Sequence, residues 1–241
     1  MKIGIITDIH NNVVALKTVM QKFQHEKCDG IICCGDIIGT GAYPEETVSE
    51  IMKIPNILAC VKGNHESYLT DGIPSEIPND EHMDAEEMEH HKWEHNLLSE
   101  KSKKFIENLN YEERLIINNR RIYVSHYAIN KDAHYFNNTI RNPSLSDLNK
   151  LFGYADADII LYGHEHKKLI LMSDDKYYIN CGSLGCPSKD KNIARAGILT
   201  IDDNISFDEI TVEYDVAKVL EDMDRIDYPA KNTIKKIFFG I

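Results

Sequence analysis

Four short clusters in this 241-residue chain combine carboxylates, amides and imidazoles closely enough to share a ligand. Asp8 and His10 are two apart, so on an extended segment both side chains project to the same side. Gly35-Asp36-Ile37-Ile38-Gly39 and Gly63-Asn64-His65-Glu66 each set polar side chains beside glycine turns. The fourth cluster is split between Ser125-His126 and Gly163-His164-Glu165-His166, where His164 and His166 repeat the two-residue spacing. Two metal ions need roughly eight to twelve ligand positions, some filled by water and one by a shared carboxylate. Asp8, His10, Asp36, Asn64, His126, His164 and His166 meet that demand. Oxygen and imidazole donors without thiolate suit divalent or trivalent ions, Mn2+ foremost, with Fe or Zn as alternatives. Any one cluster is an ordinary strand-end turn; four in order, each after an apolar run, are not.

The elements that must position these residues follow from hydrophobic spacing. Residues 2–6, 30–34 and 57–61 read as buried strands, and 13–24 and 45–53 as helices, with Val13, Leu16, Val19, Met20 and Phe23 on one face of the first. This βαβαβ rhythm predicts a largely parallel sheet under helices, and each cluster falls at the C-terminal end of a strand, where open α/β sheets place their sites. Residues 67–80 read as a loop and 84–108 as two helices. Further strands are predicted at 122–125, 159–162, 169–172, 177–180, 196–201 and 206–212. From 159 on, the tighter spacing predicts antiparallel ribs of a second sheet. Helices at 144–152, 215–226 and 230–238 complete the reading of a single domain over 1–241 with a helical insertion at about 80–109.

Composition bounds the function. At 42% hydrophobic residues the chain can bury a core, and no apolar run approaches a membrane span. Met1-Lys2 leads directly into a strand, so no signal peptide is visible and a cytoplasmic location is expected. The six cysteines form no CxxC pair and read as free thiols in a reducing compartment. A net charge of −12 disfavours nucleic acid polymers as partners and favours small phosphorylated molecules whose charge is met by metal ions. His91 and His95 share a helix face among Asp84, Glu86, Glu87, Glu89 and Glu94, which reads as solvated, with overhang of the site or a homodimer contact as the alternatives. His134 is a candidate substrate contact, and Arg195 is a candidate for bidentate phosphate binding.

The series Asp8-x-His10, Gly35-Asp36-x-x-Gly39, Gly63-Asn64-His65-Glu66, His126 and Gly163-His164-x-His166 closely resembles the calcineurin-like metallophosphoesterases, and specifically their small bacterial and archaeal phosphodiesterase branch. Trp93-Glu94-His95-Asn96-Leu97-Leu98 and Gly182-Ser183-Leu184-Gly185-Cys186-Pro187 are similar to a helix and a loop of that branch. The resemblance implies a two-sheet α/β/β/α sandwich. It places Asp8, His10, Asp36 and His166 on one metal, and Asp36, Asn64, His126 and His164 on the other. It implies a bridging hydroxide that attacks phosphorus, His65 as the acid for the leaving oxygen, Glu66 as its orienting group, and Asn12 and Ser183 on the substrate side. The implied activity is hydrolysis of phosphodiester or nucleotide pyrophosphate bonds. A phosphomonoesterase, including a protein phosphatase, and a non-catalytic scaffold of the same fold are the rivals; a scaffold should lack ligands that are all present here. The chain departs from the pattern at Asn11 (often Gly or Ser), Glu66 (often Asp), Ser125 (often Gly), and Cys186 and Ser188 (often Gln and Arg).

Overall fold

A computed structural model describes residues 1–73, 83–132, 135–173, 176–186, 192–226 and 228–241. The first half runs β1 (Lys2–Ile6), α1 (Val13–His25), β2 (Gly30–Cys33), α2 (Pro44–Ile51), β3 (Ile57–Cys60), α3 (Asn64–Thr70), α4 (Ala85–Leu97) and α5 (Glu100–Glu107). α1 forms because Val13, Leu16, Val19 and Phe23 recur at helical spacing and are all buried, while the Asn12 side chain accepts from the Ala15 N–H and caps the first turn. The second half runs β4 (Glu112–Ile117), β5 (Arg120–Ser125), β6 (Ile129–Asn130), β7 (Tyr135–Phe136), α6 (Leu145–Leu151), β8 (Ile159–Tyr162), β9 (Leu169–Met172) and β10 (Tyr177–Asn180). It closes with β11 (Ile193–Ile201), β12 (Ile205–Glu213), α7 (Val216–Arg225), α8 (Lys231–Ile234) and a π-helical turn (Lys235–Phe239).

One sheet has the order β12-β11-β1-β2-β3, the other β4-β5-β8-β10-β9. β1, β2 and β3 are parallel, as are β5, β8 and β10; the flanking strands are antiparallel. Alternate residues of both sheets (Ile3, Ile5, Ile32, Val124, Leu161, Ile179, Leu199) meet in one apolar layer. The opposite face of the first sheet packs Ile6, Cys33 and Ile198 under helix residues such as Leu16, Val48 and Val219, and Leu148 of α6 lies in the cluster covering the second sheet with Tyr123 and Ile160. The architecture is therefore the expected α/β/β/α sandwich. No helix among the described residues is long and apolar enough to cross a membrane.

The strand assignment after residue 159 needs correction. β11 and β12 belong to the first sheet, and β8 and β10 run parallel to β5. Along β11, Leu199 and Ile201 enter the layer between the sheets while Ala194, Ala196 and Ile198 face the helices. A strand buried on both faces suits a central position beside β1, and short spacing alone does not reveal that. β4, not expected from the sequence, is a half-buried edge strand, and its charged first residues hide it. Residues 67–70, read as loop, belong to α3.

Candidate metal centre

Asp8 follows β1, Asp36 follows β2, Asn64 follows β3, His126 follows β5, and His164 and His166 follow β8. Backbone hydrogen bonds knit these loops together: Asp8 N–H donates to Gly35 O at 3.0 Å, His10 N–H to Asp36 O at 3.0 Å, and Gly163 N–H to His126 O at 2.8 Å. The Asp8 carboxylate accepts from the Thr7 hydroxyl at 2.7 Å and from the His164 N–H at 3.0 Å, joining the two sheets. Asp8, His10, Asn11, Asp36, His164 and His166 all have φ between 49° and 73°. Such conformations cost about 1–3 kcal/mol each outside glycine. Half of the twelve cases among the described residues lie here, so strain collects where donor atoms converge.

Asp36 stands at the centre. Its Oδ2 lies 3.1 Å from His126 Nε2, 3.8 Å from His10 Nε2 and 3.9 Å from His65 Nε2. Asp8 Oδ1 lies 3.4 Å from His166 Nε2, His10 Nε2 and His166 Nε2 are 2.8 Å apart, and His164 Nδ1 is 3.2 Å from Asn64 Oδ1. Two donor groups, His10–Asp36–His65 and Asp36–His126–His164, each gather their atoms within 4.8 Å and share Asp36. These residues fit a metal. His126 Nδ1 donates to Cys34 O at 2.8 Å, which aims Nε2 inward, and that buried nitrogen has no hydrogen-bond partner among the described residues. His164 Nε2 meets the Thr139 hydroxyl at 2.8 Å, leaving Nδ1 toward Asn64. Fixing an imidazole through one nitrogen to present the other is how ligating histidines are oriented.

The electrostatics favour cations. Burial works against the Asp8 charge, but the His166 hydrogen bond and the His166 and His126 charges hold its carboxyl at about 2. Burial likewise opposes the Asp36 charge, yet His126 and His65 hold it well below the usual range. Burial and the His166 charge bring His10 down to about 4. For His126, burial is overcome by Asp36 and Asp8, which raise it to about 10. Burial pushes His65 well below the usual imidazole value, against the opposing charge of Asp36. At neutral pH both aspartates are charged in a site that water barely reaches.

The structure brings Asp8, His10, Asp36, Asn64, His65, His126, His164 and His166 together. The other candidate residues have partners elsewhere. Glu66 makes no hydrogen bond to His65: its carboxylate accepts from Asp36 N–H at 2.9 Å, Gly63 N–H at 2.7 Å and Ile38 N–H at 2.9 Å. It thus shapes the Asp36 loop, and burial together with Asp36 pushes it up to about 7. Asn12 and Ser183, expected beside substrate, are buried in structural roles. Asn12 caps α1 and donates to Gly185 O, and Ser183 donates to Asp8 O and accepts from Cys186 N–H. Arg195 forms an ion pair with Glu209 at 3.1 Å. His134, Pro187 and Ser188 lie outside the described residues.

The α4 face is not solvated: His90, His91 and Glu94 are buried. Glu94 accepts from Asn11 Nδ2, Gly39 N–H and His91 Nδ1. Its acidic neighbours mask this in the sequence; the only signal is that Glu94 lies three and four residues from His91 and His90. Sequence reasoning also missed Thr139 and Asn180, which donates to Gly163 O; Cys186, a departure from the family pattern, has its sulfur within 4.8 Å of ring nitrogens of His10 and His166.

Fold and site together define a class: a two-sheet α/β sandwich that gathers aspartate, asparagine and histidine where parallel strands end. The chain belongs to the calcineurin-like phosphoesterase superfamily, whose domain description matches residues 1–204. It is 29% identical over 242 residues to an uncharacterised protein of Methanocaldococcus jannaschii, covering 91% of this chain and 90% of that one. Among solved structures it is similar to a metallophosphoesterase from Sphaerobacter thermophilus (TM-score 0.73, 24% identity, all of both chains). It is also similar to a hypothetical protein from Pyrococcus horikoshii (TM-score 0.82, 15% identity, 98% and 97% of the two chains). These structural likenesses establish the fold.

Proposed function

We propose that the chain is a phosphodiesterase that uses two metal ions and acts on small phosphorylated molecules, either phosphodiesters or nucleotide pyrophosphates. The observation that carries this is the placement of one carboxylate, Asp36, in two imidazole-containing donor groups. Asp8, His10, Asp36 and His166 would hold one ion, and Asp36, Asn64, His126 and His164 the other. When bound, the ions, manganese foremost and iron or zinc as alternatives, supply positive charge for phosphoryl oxygens and lower the pKa of water.

His65 supplies the proton. Its Nε2 faces Asp36 at the centre of the site, and the leaving oxygen receives that proton as its bond to phosphorus breaks and the water oxygen, its own proton lost to solvent, bonds to phosphorus. Burial first, and then the neighbouring His10 and His91 charges, keep the ring neutral, and the negative charge of an entering phosphate opposes that push. The net charge of −12 favours small substrates over long polyanions.

Two variants test the reading. Asp36→Asn should lose both metal and turnover. His65→Ala should keep its metal content and lose about 10²–10⁴-fold in turnover of bis-p-nitrophenyl phosphate. A full rate in His65→Ala would remove the acid role. A metal-loaded wild type inert on both bis- and mono-p-nitrophenyl phosphate would overturn the enzymatic reading, and brisk cleavage of long nucleic acid at physiological salt would overturn the substrate class.

A further inference from the structure

We propose that Glu94, held by His91, is the carboxylate that orients His65, the role that Glu66 does not fill. The inference rests on the phosphodiesterase reading above. Glu94 is fully buried. Its Oε2 accepts from Asn11 Nδ2 at 2.7 Å and from Gly39 N–H at 2.8 Å, and its Oε1 accepts from His91 Nδ1 at 2.7 Å. One carboxylate therefore ties α4 to the loops after β1 and β2. Asn11, one of the positions where the chain departs from the family pattern, is the residue whose amide meets it.

His65 completes the arrangement. The His65 and His91 rings have centroids 5.1 Å apart, and His65, His91 and Glu94 bring ring nitrogens and a carboxylate oxygen within 4.8 Å of one another. His65 Nε2 is the nitrogen toward Asp36. His65 Nδ1 lies against Gly39, where a Cβ would stand 2.4 Å away, and Gly39 is the residue whose N–H bonds Glu94. His65 Nδ1 is buried without a hydrogen-bond partner among the described residues. An imidazole that gives a proton from one nitrogen is oriented and charge-balanced through the other. Through Gly39, Glu94 is the carboxylate on that second side, with an oxygen within 4.8 Å of a His65 ring nitrogen. The same group does not read as a third metal site, because His91 Nδ1 and Glu94 already bond each other.

Proton donation matters most when the leaving oxygen is a poor leaving group. The test is steady-state hydrolysis of aryl methyl phosphodiesters, from p-nitrophenol to unsubstituted phenol as leaving group, by the metal-loaded full chain. Glu94→Gln and His91→Phe should each lower kcat about tenfold or more for the phenyl ester and distinctly less for the p-nitrophenyl ester, with metal content and KM little changed. His91→Phe keeps the bonds from Glu94 to Asn11 and Gly39, so it decides the matter if Glu94→Gln does not fold. Equal slowing across the series would mean a merely structural role and would overturn the proposal, as would loss of a third metal equivalent in Glu94→Gln. A wild type that binds metal and hydrolyses none of the esters would fail in a different way, sinking the phosphodiesterase reading on which the inference stands.

Discussion

Gly63→Ala offers a direct test of how the Asp36 carboxylate is positioned. Gly63 has φ −95° and ψ −172°, a conformation open to alanine, so backbone strain plays no part. The effect is steric. A Cβ at Gly63 would stand 2.0 Å from Asp36 Oδ1 and 2.6 Å from Asp36 N. Real Cβ contacts essentially never fall below 3.0 Å, so the carboxylate must retreat by a full ångström or α3 must shift. Metal–ligand distances tolerate about ±0.2 Å, so a displacement of that size removes the shared ligand from both donor groups. Overpacking of this kind costs typically about 1–3 kcal/mol. At roughly 2–4 °C per kcal/mol for a chain of this size, Tm should fall by about 2–12 °C. Isothermal titration with Mn2+ and thermal melts with and without metal measure both effects. The variant should bind manganese at least about tenfold more weakly, and metal should raise its Tm less than it raises that of the wild type. Wild-type manganese affinity together with an unchanged Tm would refute the placement of Asp36 against Gly63 and the shared-ligand reasoning with it.

Other expectations follow from the same geometry. Glu66→Ala leaves the N–H groups of Asp36, Ile38 and Gly63 unpaired in the interior, and at about 1–3 kcal/mol each the destabilisation should reach several kcal/mol in chemical denaturation; a loss below about 1 kcal/mol would mean that those groups find other partners. The Glu94–His91 pair predicts a pH window. Burial opposes the Glu94 charge, but the His91 hydrogen bond holds the carboxyl well below its ordinary value of 4.5, so its contribution is present above that value and lost as pH falls. Burial also opposes the His91 charge, yet Glu87 and Glu94 raise the ring from 6.5 to about 9, so its contribution is full below 6.5 and lost as pH rises through 9. The difference in unfolding free energy between wild type and His91→Phe, from chemical denaturation, should be largest between about pH 4.5 and 6.5 and shrink toward pH 10, by an amount on the order of 3 kcal/mol. A difference that is flat across that range would rule the pair out.

The sequence by itself determined the clusters and the elements that carry them. Asp8-x-His10 and His164-x-His166 are legible because each sits within a few residues of a strand end, and two-residue spacing and apolar runs are local properties. The opening βαβαβ order was legible for the same reason, with β1, α1 and β3 falling within a residue or so of their expected bounds. What only the tertiary structure decided is which distant group meets which. β11 lies beside β1 because it is buried on both faces, a fact about sheet order that strand spacing does not encode. Glu66 turned from His65, its sequence neighbour, to the backbone of Asp36, Ile38 and Gly63 because the three N–H groups there need an acceptor. Glu94 left a surface-like acidic run to enter the site because buried N–H groups and an imidazole on three separate segments converge on the space it fills. Local chemistry is written in spacing. Its partners are set by packing between segments tens of residues apart, where a single chain's periodicity carries no information.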